Sequence, residues 1–252
     1  MSHSGANTVT ADSKRLRQDG VLIVPGFRGS DEAHWQSWLQ MQIDGAQRLS
    51  GVDWDDPVLS VWAGKIRQQL QRSDNYQWIV AHSFGCLAAA IAVADRPQKV
   101  AGVIFVAPAD PARFHLLGCR QVHGANAWHE PAIRQSVIKE KEGVWPVIPS
   151  QALGVEGVVI ASENDPWLTL ATAGVIAERW GLDLTNVGQA GHINTEGGYG
   201  PWPYIKELLA SRMRQASAIA RPEPGNPLLR LGRGSVLAHV RQQTRRQMEG
   251  RI

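Results

Sequence analysis

"QWIVAHSFGC", residues 77–86, decides how the rest of this 252-residue chain is read. An apolar run ends in Ala-His-Ser-Phe-Gly and passes straight into the helix-prone "LAAAIAVA" of residues 87–94. Two readings of Ser83 compete. In one it is the centre of a strand-to-helix elbow, where a strained backbone demands small residues two places before and after. In the other it is an ordinary helix N-cap, whose hydroxyl takes a backbone N–H of the first turn. The cap accounts for a helix start but not for the small pair, Ala81 and Gly85. Ala81 stands where the pattern Gly-x-Ser-x-Gly has its first glycine. The small residues that follow would let the helix lie close against a sheet.

Strand and helix signals alternate on both sides of this stretch. "VLIVPGF" at 21–27 reads as a short buried strand entering a glycine-containing loop. "EAHWQSWLQMQI" at 32–43 has helical spacing through Trp35, Trp38, Leu39 and Ile43, and 46–52 is a weak second strand. "DDPVLSVWAGKIRQQLQ" at 55–71 opens on an Asp–Pro start signal and carries an apolar face of Leu59, Trp62, Ile66 and Leu70. Further apolar runs fall at 100–107 and 155–161, with a shorter one at 182–187, and helices are expected over 84–95, 167–180 and 202–213. Strands separated by helices imply right-handed crossovers and a mostly parallel α/β sheet with helices on both faces. Ligands bind such sheets beyond the carboxyl ends of the strands. Ser83 lies there.

A serine hydroxyl is a weak nucleophile near neutral pH and needs a base and an orienting acid. "VVIASENDPW" ends a predicted strand just before Asp165, and "VGQAGHINTE" carries His192 past the next. Both reach the same sheet edge as Ser83, and the chain order Ser83, Asp165, His192 is that of the α/β-hydrolases. Asp165 has a rival role, because Asp before Pro166 also suits a helix N-cap, and one carboxylate is expected to serve one partner well. Asp110 in "VAPADP", also just past a strand, is the rival acid. An oxyanion hole should draw one donor from the Phe84 N–H and another from "PGFRGS", at Phe27 or Arg28.

Six motifs together resemble a known family: "VPGFRGSDEAHWQSWL", "VDWDDPVLSVW", "IVAHSFGCLAAA", "VAPADP", "ASENDPW" and "AGHINTEGGYGPWP". They look like the small serine hydrolases related to retinoblastoma-binding protein nine, and in particular its bacterial branch. The resemblance covers about residues 20 to 213. It implies a compact α/β-hydrolase fold with no large cap domain. It also implies the nucleophile at Ser83, the acid at Asp165 and the base at His192. Substrates in the family are poorly defined, so the resemblance names none.

Charge divides the chain. The formal net charge is +3, but residues 221–252 hold seven Arg and two Glu, leaving 19 basic and 21 acidic side chains in the other 220 residues. The expected organisation is a polar N-terminal segment at 1–19, an α/β-hydrolase domain at 20–213, and a linker with a basic tail at 214–252. Val236, Leu237, Val240 and Met248 give that tail near-helical apolar spacing. Such a helix would suit an acidic partner, and a solvated tail is the competing reading. A composition of 43% hydrophobic and 19% charged residues is that of a globular protein. No apolar stretch approaches the roughly 20 residues of a membrane span. The first 19 residues lack an apolar leader core, and Cys86 and Cys119 are too few for a disulfide framework. A cytoplasmic setting is the expectation, and the oligomeric state is open.

Residues 108–154 hold the best clue to substrate. "HEPAIRQSVIKEKEG" at 129–143 reads as one helix, and Phe114, Leu116, Leu117, Trp128 and Trp145 are numerous enough to wall a small acyl pocket. Arg28 and Trp167 are further pocket candidates. The same aromatics would equally serve to cover the sheet. Small carboxylic esters, with amides and thioesters as variants, fit a chain without a large inserted cap. A binding protein on a hydrolase scaffold, acting through the basic tail, is the alternative. No His-Glu-x-x-His pair, phosphate loop or dinucleotide fingerprint occurs, Cys119, His123 and His129 make no zinc pattern, and neither a cofactor nor nucleic acid is expected. His82 is expected to be structural and Cys86 to pack.

Overall fold

Strands covered on both faces read as unbroken apolar runs, and "VLIV", "WIVA", "VIFV" and "VVIA" are four of them. In the computed structural model, which describes residues 19–116, 118–119 and 143–220, they form the middle of a six-stranded sheet. The strands are β1 (Gly20–Val24), β2 (Gln47–Arg48), β3 (Gln77–His82), β4 (Val100–Val106), β7 (Glu156–Ala161) and β8 (Asp183–Asn186). Their order is β2-β1-β3-β4-β7-β8, and every neighbouring pair is parallel. A two-stranded antiparallel ribbon, β5 (Phe114–His115) with β6 (Gly118–Cys119), stands apart.

The two faces are separate cores, sorted by strand alternation. Leu22, Val24, Ile79, Ala81, Val103, Phe105 and Val159 face α2 (Leu59–Arg72), α3 (Phe84–Asp95) and α4 (Leu170–Trp180). Val21, Ile23, Trp78, Val80, Ile104, Val106 and Val158 face α1 (Trp35–Gln42) and α5 (Pro203–Ala220). This is an open α/β-hydrolase sheet, and no large cap is evident among the described residues. Strand order turns back at β1, which has β2 on one side and β3 on the other. The carboxyl ends of β1 and β3 therefore bound the crevice where such sheets take their ligands.

Helix α3 shows why the elbow needs its small residues. Every residue from Phe84 to Ala90 is buried, and the helix lies so close to β1 that a Cβ on Gly85 would stand 2.3 Å from the Pro25 carbonyl oxygen and 2.8 Å from that of Val24. Backbone atoms cannot move aside as a side-chain tip can. A Cβ on Gly26, across the crevice, would come within 2.7 Å of the Ser83 Cβ. Ala81 meets no such limit, because it sits in the strand between Val24 and Phe105 and its methyl group joins the core. The tight positions are 26 and 85, which explains why alanine is accepted at 81.

Several boundaries differ from the sequence reading. Helix α2 starts at Leu59 after Val58, without a side-chain cap. The Asp55-Asp56-Pro57 signal is not used as one, since the Asp56 carbonyl instead accepts the Val58 N–H and the Trp62 indole N–H. Helix α4 starts at Leu170 and not at 167, because Thr169 Oγ1 accepts the Thr172 N–H. Helix α5 continues to Ala220. The segment 1–18, Trp128, the helix expected over 129–143 apart from its last residue, and the tail from 221 lie outside the described residues.

Gly85→Ala should cost about 1–3 kcal/mol by overpacking against an unyielding carbonyl. Urea unfolding should show this as a lower midpoint with an unchanged slope, while Ala81→Gly stays far closer to the parent.

Candidate active site

The end of β3 delivers Ser83 in a conformation few residues adopt. Its backbone sits at φ 52° and ψ −126°, a region that costs about 1–3 kcal/mol outside glycine. The Ser83 N–H donates to the Val106 carbonyl at 3.1 Å, and its own carbonyl accepts the Cys86 N–H at 3.0 Å. Those bonds hold the turn. The Ser83 side chain makes no capping bond to the helix, which disposes of the N-cap reading and leaves Oγ to other partners.

His192 is that partner. Its Nε2 lies 2.8 Å from Ser83 Oγ, and its Nδ1 lies 2.9 and 3.0 Å from the two carboxylate oxygens of Asp165. An ionised carboxylate only accepts, so Nδ1 carries the proton and Nε2 is left to accept from the serine hydroxyl. The side chains of His192 and Asp165 are 8% and 2% exposed, so water competes weakly for these bonds. Asp165 does not choose between partners as expected. Its Oδ1 also accepts the Trp167 N–H at 2.8 Å, a local turn that helps to aim the carboxylate at the histidine.

Adjacent strands β7 and β8 bring the two loops together, and side chains stitch them. Ser162 Oγ accepts the Ala190 N–H and donates to Asn164 Oδ1, which also accepts the Gly191 N–H. The Glu163 N–H donates to the Gly188 carbonyl. Asp110, the rival acid, is engaged elsewhere. Its Oδ1 accepts the Ala112 N–H at 2.9 Å and caps the 3-10 turn Pro111–Arg113.

The loop after β1 faces Ser83 across the missing Cβ of Gly26. Arg28, at φ 67°, gives its N–H to the Trp54 carbonyl at 2.8 Å, which commits that donor elsewhere. Phe84 opens α3, a position where a helix leaves its N–H without an internal acceptor. Of the pocket candidates, the Trp167 ring lies 5.8 Å from the His192 ring, with the Arg113 guanidinium 5.0 Å from Trp167 and bonded to the Pro166 carbonyl. Phe114 packs on Phe84 at 4.6 Å and Trp145 lies beneath Arg179, and both are buried in the same core. The Arg28 guanidinium sits over Phe27 at 5.4 Å, and Trp128 lies outside the described residues.

Two groups near the site, His34 and Gln36, escaped the sequence reading. His34 is buried, and the loss of hydration lowers its pKa to about 4. Burial, followed by the neighbouring His192 and His34, holds His82 well below the usual histidine value. Gln36 is fully buried and donates to the Val24 and Val80 carbonyls, tying β1 to β3 behind the crevice. Their one signal was polar residues flanking Trp35 in "AHWQS". Cys86 packs as expected, with burial pushing its thiol pKa well up. Among the described residues, no group of His, Cys, Asp and Glu could hold a metal ion.

The family model described as serine hydrolase matches residues 21–211. A solved structure described as a YdeN-like hydrolase of Pectobacterium atrosepticum is 32% identical, with 79% of this chain and 93% of that one covered and a TM-score of 0.63. The ydeN gene product of B. subtilis is 21% identical, covering 78% and 99%, with a TM-score of 0.56. Est1E of Butyrivibrio proteoclasticus, solved with ferulic acid, is 14% identical, covering 83% and 93%, at a TM-score of 0.52. The last two likenesses concern the fold alone. No curated protein matches the chain.

Asp165→Asn should lower ester turnover by about 10⁴, as loss of an acid that sets the tautomer does. Asp110→Asn should cost far less. Steady-state hydrolysis of both variants, with circular dichroism confirming their fold, checks the ranking, and the reverse order would move the acid to Asp110.

Proposed function

This chain belongs to the serine hydrolase family, a hydrolytic enzyme therefore, and on that premise we propose that Ser83, His192 and Asp165 are a catalytic triad acting on small carboxylic esters through an acyl-enzyme. The observation that carries the reading is the unbroken run of hydrogen bonds from Ser83 Oγ through His192 to the Asp165 carboxylate. Ser83 Oγ attacks the ester carbonyl carbon as its proton passes to His192 Nε2. The negative charge gathering on the former carbonyl oxygen is met by the Phe27 and Phe84 N–H groups, while Asp165 stabilises the imidazolium. His192 then gives the proton to the departing alkoxide, and the acyl group stays on Ser83. Water, deprotonated by the same nitrogen, attacks the acyl-enzyme, and His192 returns that proton to Ser83 Oγ as its bond to the acyl carbon breaks and the acid leaves.

Two finer assignments belong to the same reading. The six sequence motifs support a place in the branch related to retinoblastoma-binding protein nine, in its bacterial part. Small esters are the substrate class, with amides and thioesters as variants, because the chain between β4 and β7 is too short for a large inserted cap. The catalytic unit is residues 20–213. The basic segment that follows would meet an acidic partner and take no part in the chemistry.

A fluorophosphonate probe should label the wild-type protein at Ser83, and Ser83→Ala should abolish the label with the fold intact. Nitrophenyl esters of increasing acyl length then rank the acyl pocket. Labelling that persists in a folded Ser83→Ala protein excludes this nucleophile.

Truncation after Arg221 should leave ester hydrolysis within about twofold, since the body is slightly acidic and every triad residue precedes α5. A folded but inactive truncation would place the tail in the site.

A further inference from the structure

Behind the His192 imidazole lie two buried ring N–H groups that the acyl-transfer steps leave unused. His82 Nε2 lies 2.9 Å from the carbonyl oxygen of His192 itself. The Trp35 indole Nε1–H donates to the carbonyl of the next residue, Ile193, at 2.8 Å. A carbonyl oxygen only accepts, so His82 is the donor and is fixed as its Nε2–H tautomer. Two consecutive carbonyls of one loop are thus gripped from two elements, the end of β3 and the start of α1. The rings that grip them brace each other, Trp35 meeting His82 edge to face at 6.0 Å and 86°. His82 also lies 4.9 Å from the His192 ring and 5.0 Å from that of His34. Trp35 is fully buried and His82 is 4% exposed.

The loop they hold is strained at the point of attachment. Ile193 sits at φ 50°, a left-handed conformation that a β-branched residue keeps only when its surroundings over-determine it. Asp165 orients the imidazole from Nδ1 but does not fix the backbone from which the ring hangs. That backbone sets how far Nε2 reaches toward Ser83.

We propose that His82 and Trp35 are positioning residues, clamping the carbonyls of His192 and Ile193 so that the strained loop presents the base to Ser83 Oγ. The inference rests on the triad reading above and adds the device that holds its base in place. Burial keeps His82 neutral, with His192 and His34 beside it acting in the same direction, so the donor tautomer persists through the neutral range. The charged groups Asp31 and Arg48 act on His34, the outer ring of the set.

Three variants test the clamp. His82→Leu removes the donor, His82→Gln returns an N–H to nearly the same place, and Trp35→Phe keeps an aromatic ring without its N–H. His82→Leu and Trp35→Phe should each lower kcat and the rate of fluorophosphonate labelling by about ten- to a hundredfold, the scale of a misplacement near 1 Å. KM should change little, and His82→Gln should recover most of the loss. The acid limb of kcat/KM in His82→Leu should also move to lower pH, because a looser contact with Asp165 stabilises the imidazolium less. A packing defect alone would leave that limb in place. Unimpaired kcat and labelling in folded His82→Leu or Trp35→Phe overturns the proposal, as does a His82→Gln protein impaired as badly as His82→Leu. Trp35→Phe and His82→Gln decide the matter if His82→Leu does not fold. A wild-type protein that resists the probe, or a Ser83→Ala protein that takes it, defeats the triad reading itself. Labelling at Ser83 with unimpaired clamp variants defeats the clamp alone.

Discussion

The Pro25 carbonyl oxygen occupies space that any side chain at position 85 would need. This single close approach fixes how deeply α3 sinks against β1, and much of the site follows from it. With the helix seated there, Ser83 must take its positive φ to connect β3 to α3, and the turn lifts Oγ above the sheet edge. The same seating sets the Phe84 N–H beside the loop after β1. It also brings Gly26 against the Ser83 Cβ, so the two halves of the crevice share one tolerance. Strain at Ser83 is sustained because α3 is buried from Phe84 to Ala90, and each fully buried large apolar side chain there contributes about 1.5–3 kcal/mol.

The opposite wall of the site is built on different terms. Packing contributes here too, since Ile193 is fully buried in the core shared with α1 and α5, and hydrogen bonds fix the His192 loop from both sides. Ser162 and Asn164 take N–H groups from one side of the loop, while His82 and Trp35 give N–H groups to the other. Ser83 is thus seated mainly by the burial of α3, and His192 by packing together with polar contacts. Hydrogen bonds specify position more sharply than apolar contact, but each loses its value if one partner is removed and the other stays buried. Asp165 works within this scheme by accepting from both Trp167 and His192, which two carboxylate oxygens allow and which the Asp-Pro pattern did not reveal.

What the sequence made legible was whatever is written locally. Unbroken apolar runs in the central strands, the small pair about Ser83, and the position of Asp165 and His192 past successive strands are all properties of short segments. They led directly to the parallel sheet and to the three residues now found within hydrogen-bond reach of one another. Helix starts were less legible. The Asp56-Pro57 signal was overridden when Trp62 took the Asp56 carbonyl, and Thr169 capped α4 three residues late. The clamp was not legible at all, because "AHWQS" and "VAHSF" give no sign that their rings meet a loop more than a hundred residues further on. Aromatic residues also hid their roles. Phe114 and Trp145 both join the buried core, Phe114 against Phe84, and composition alone did not separate packing from pocket.

The hydrogen bonds that assemble the reacting centre join residues far apart along the chain. Ser83 and His192 are separated by 109 positions, His82 and His192 by 110, and Trp35 and Ile193 by 158. Contacts of such separation form late, since the entropy of closing a long loop must be met before they reward it. A chain emerging from the ribosome would complete β1, β3 and α3 while Asp165 and His192 were still unmade. On the triad proposed above, the serine at that stage has its turn but no base, and its hydroxyl is no more reactive than that of any other serine. Chemical competence thus arrives only with β7 and β8. Reactivity toward a serine-directed probe would then be a readout of completed folding.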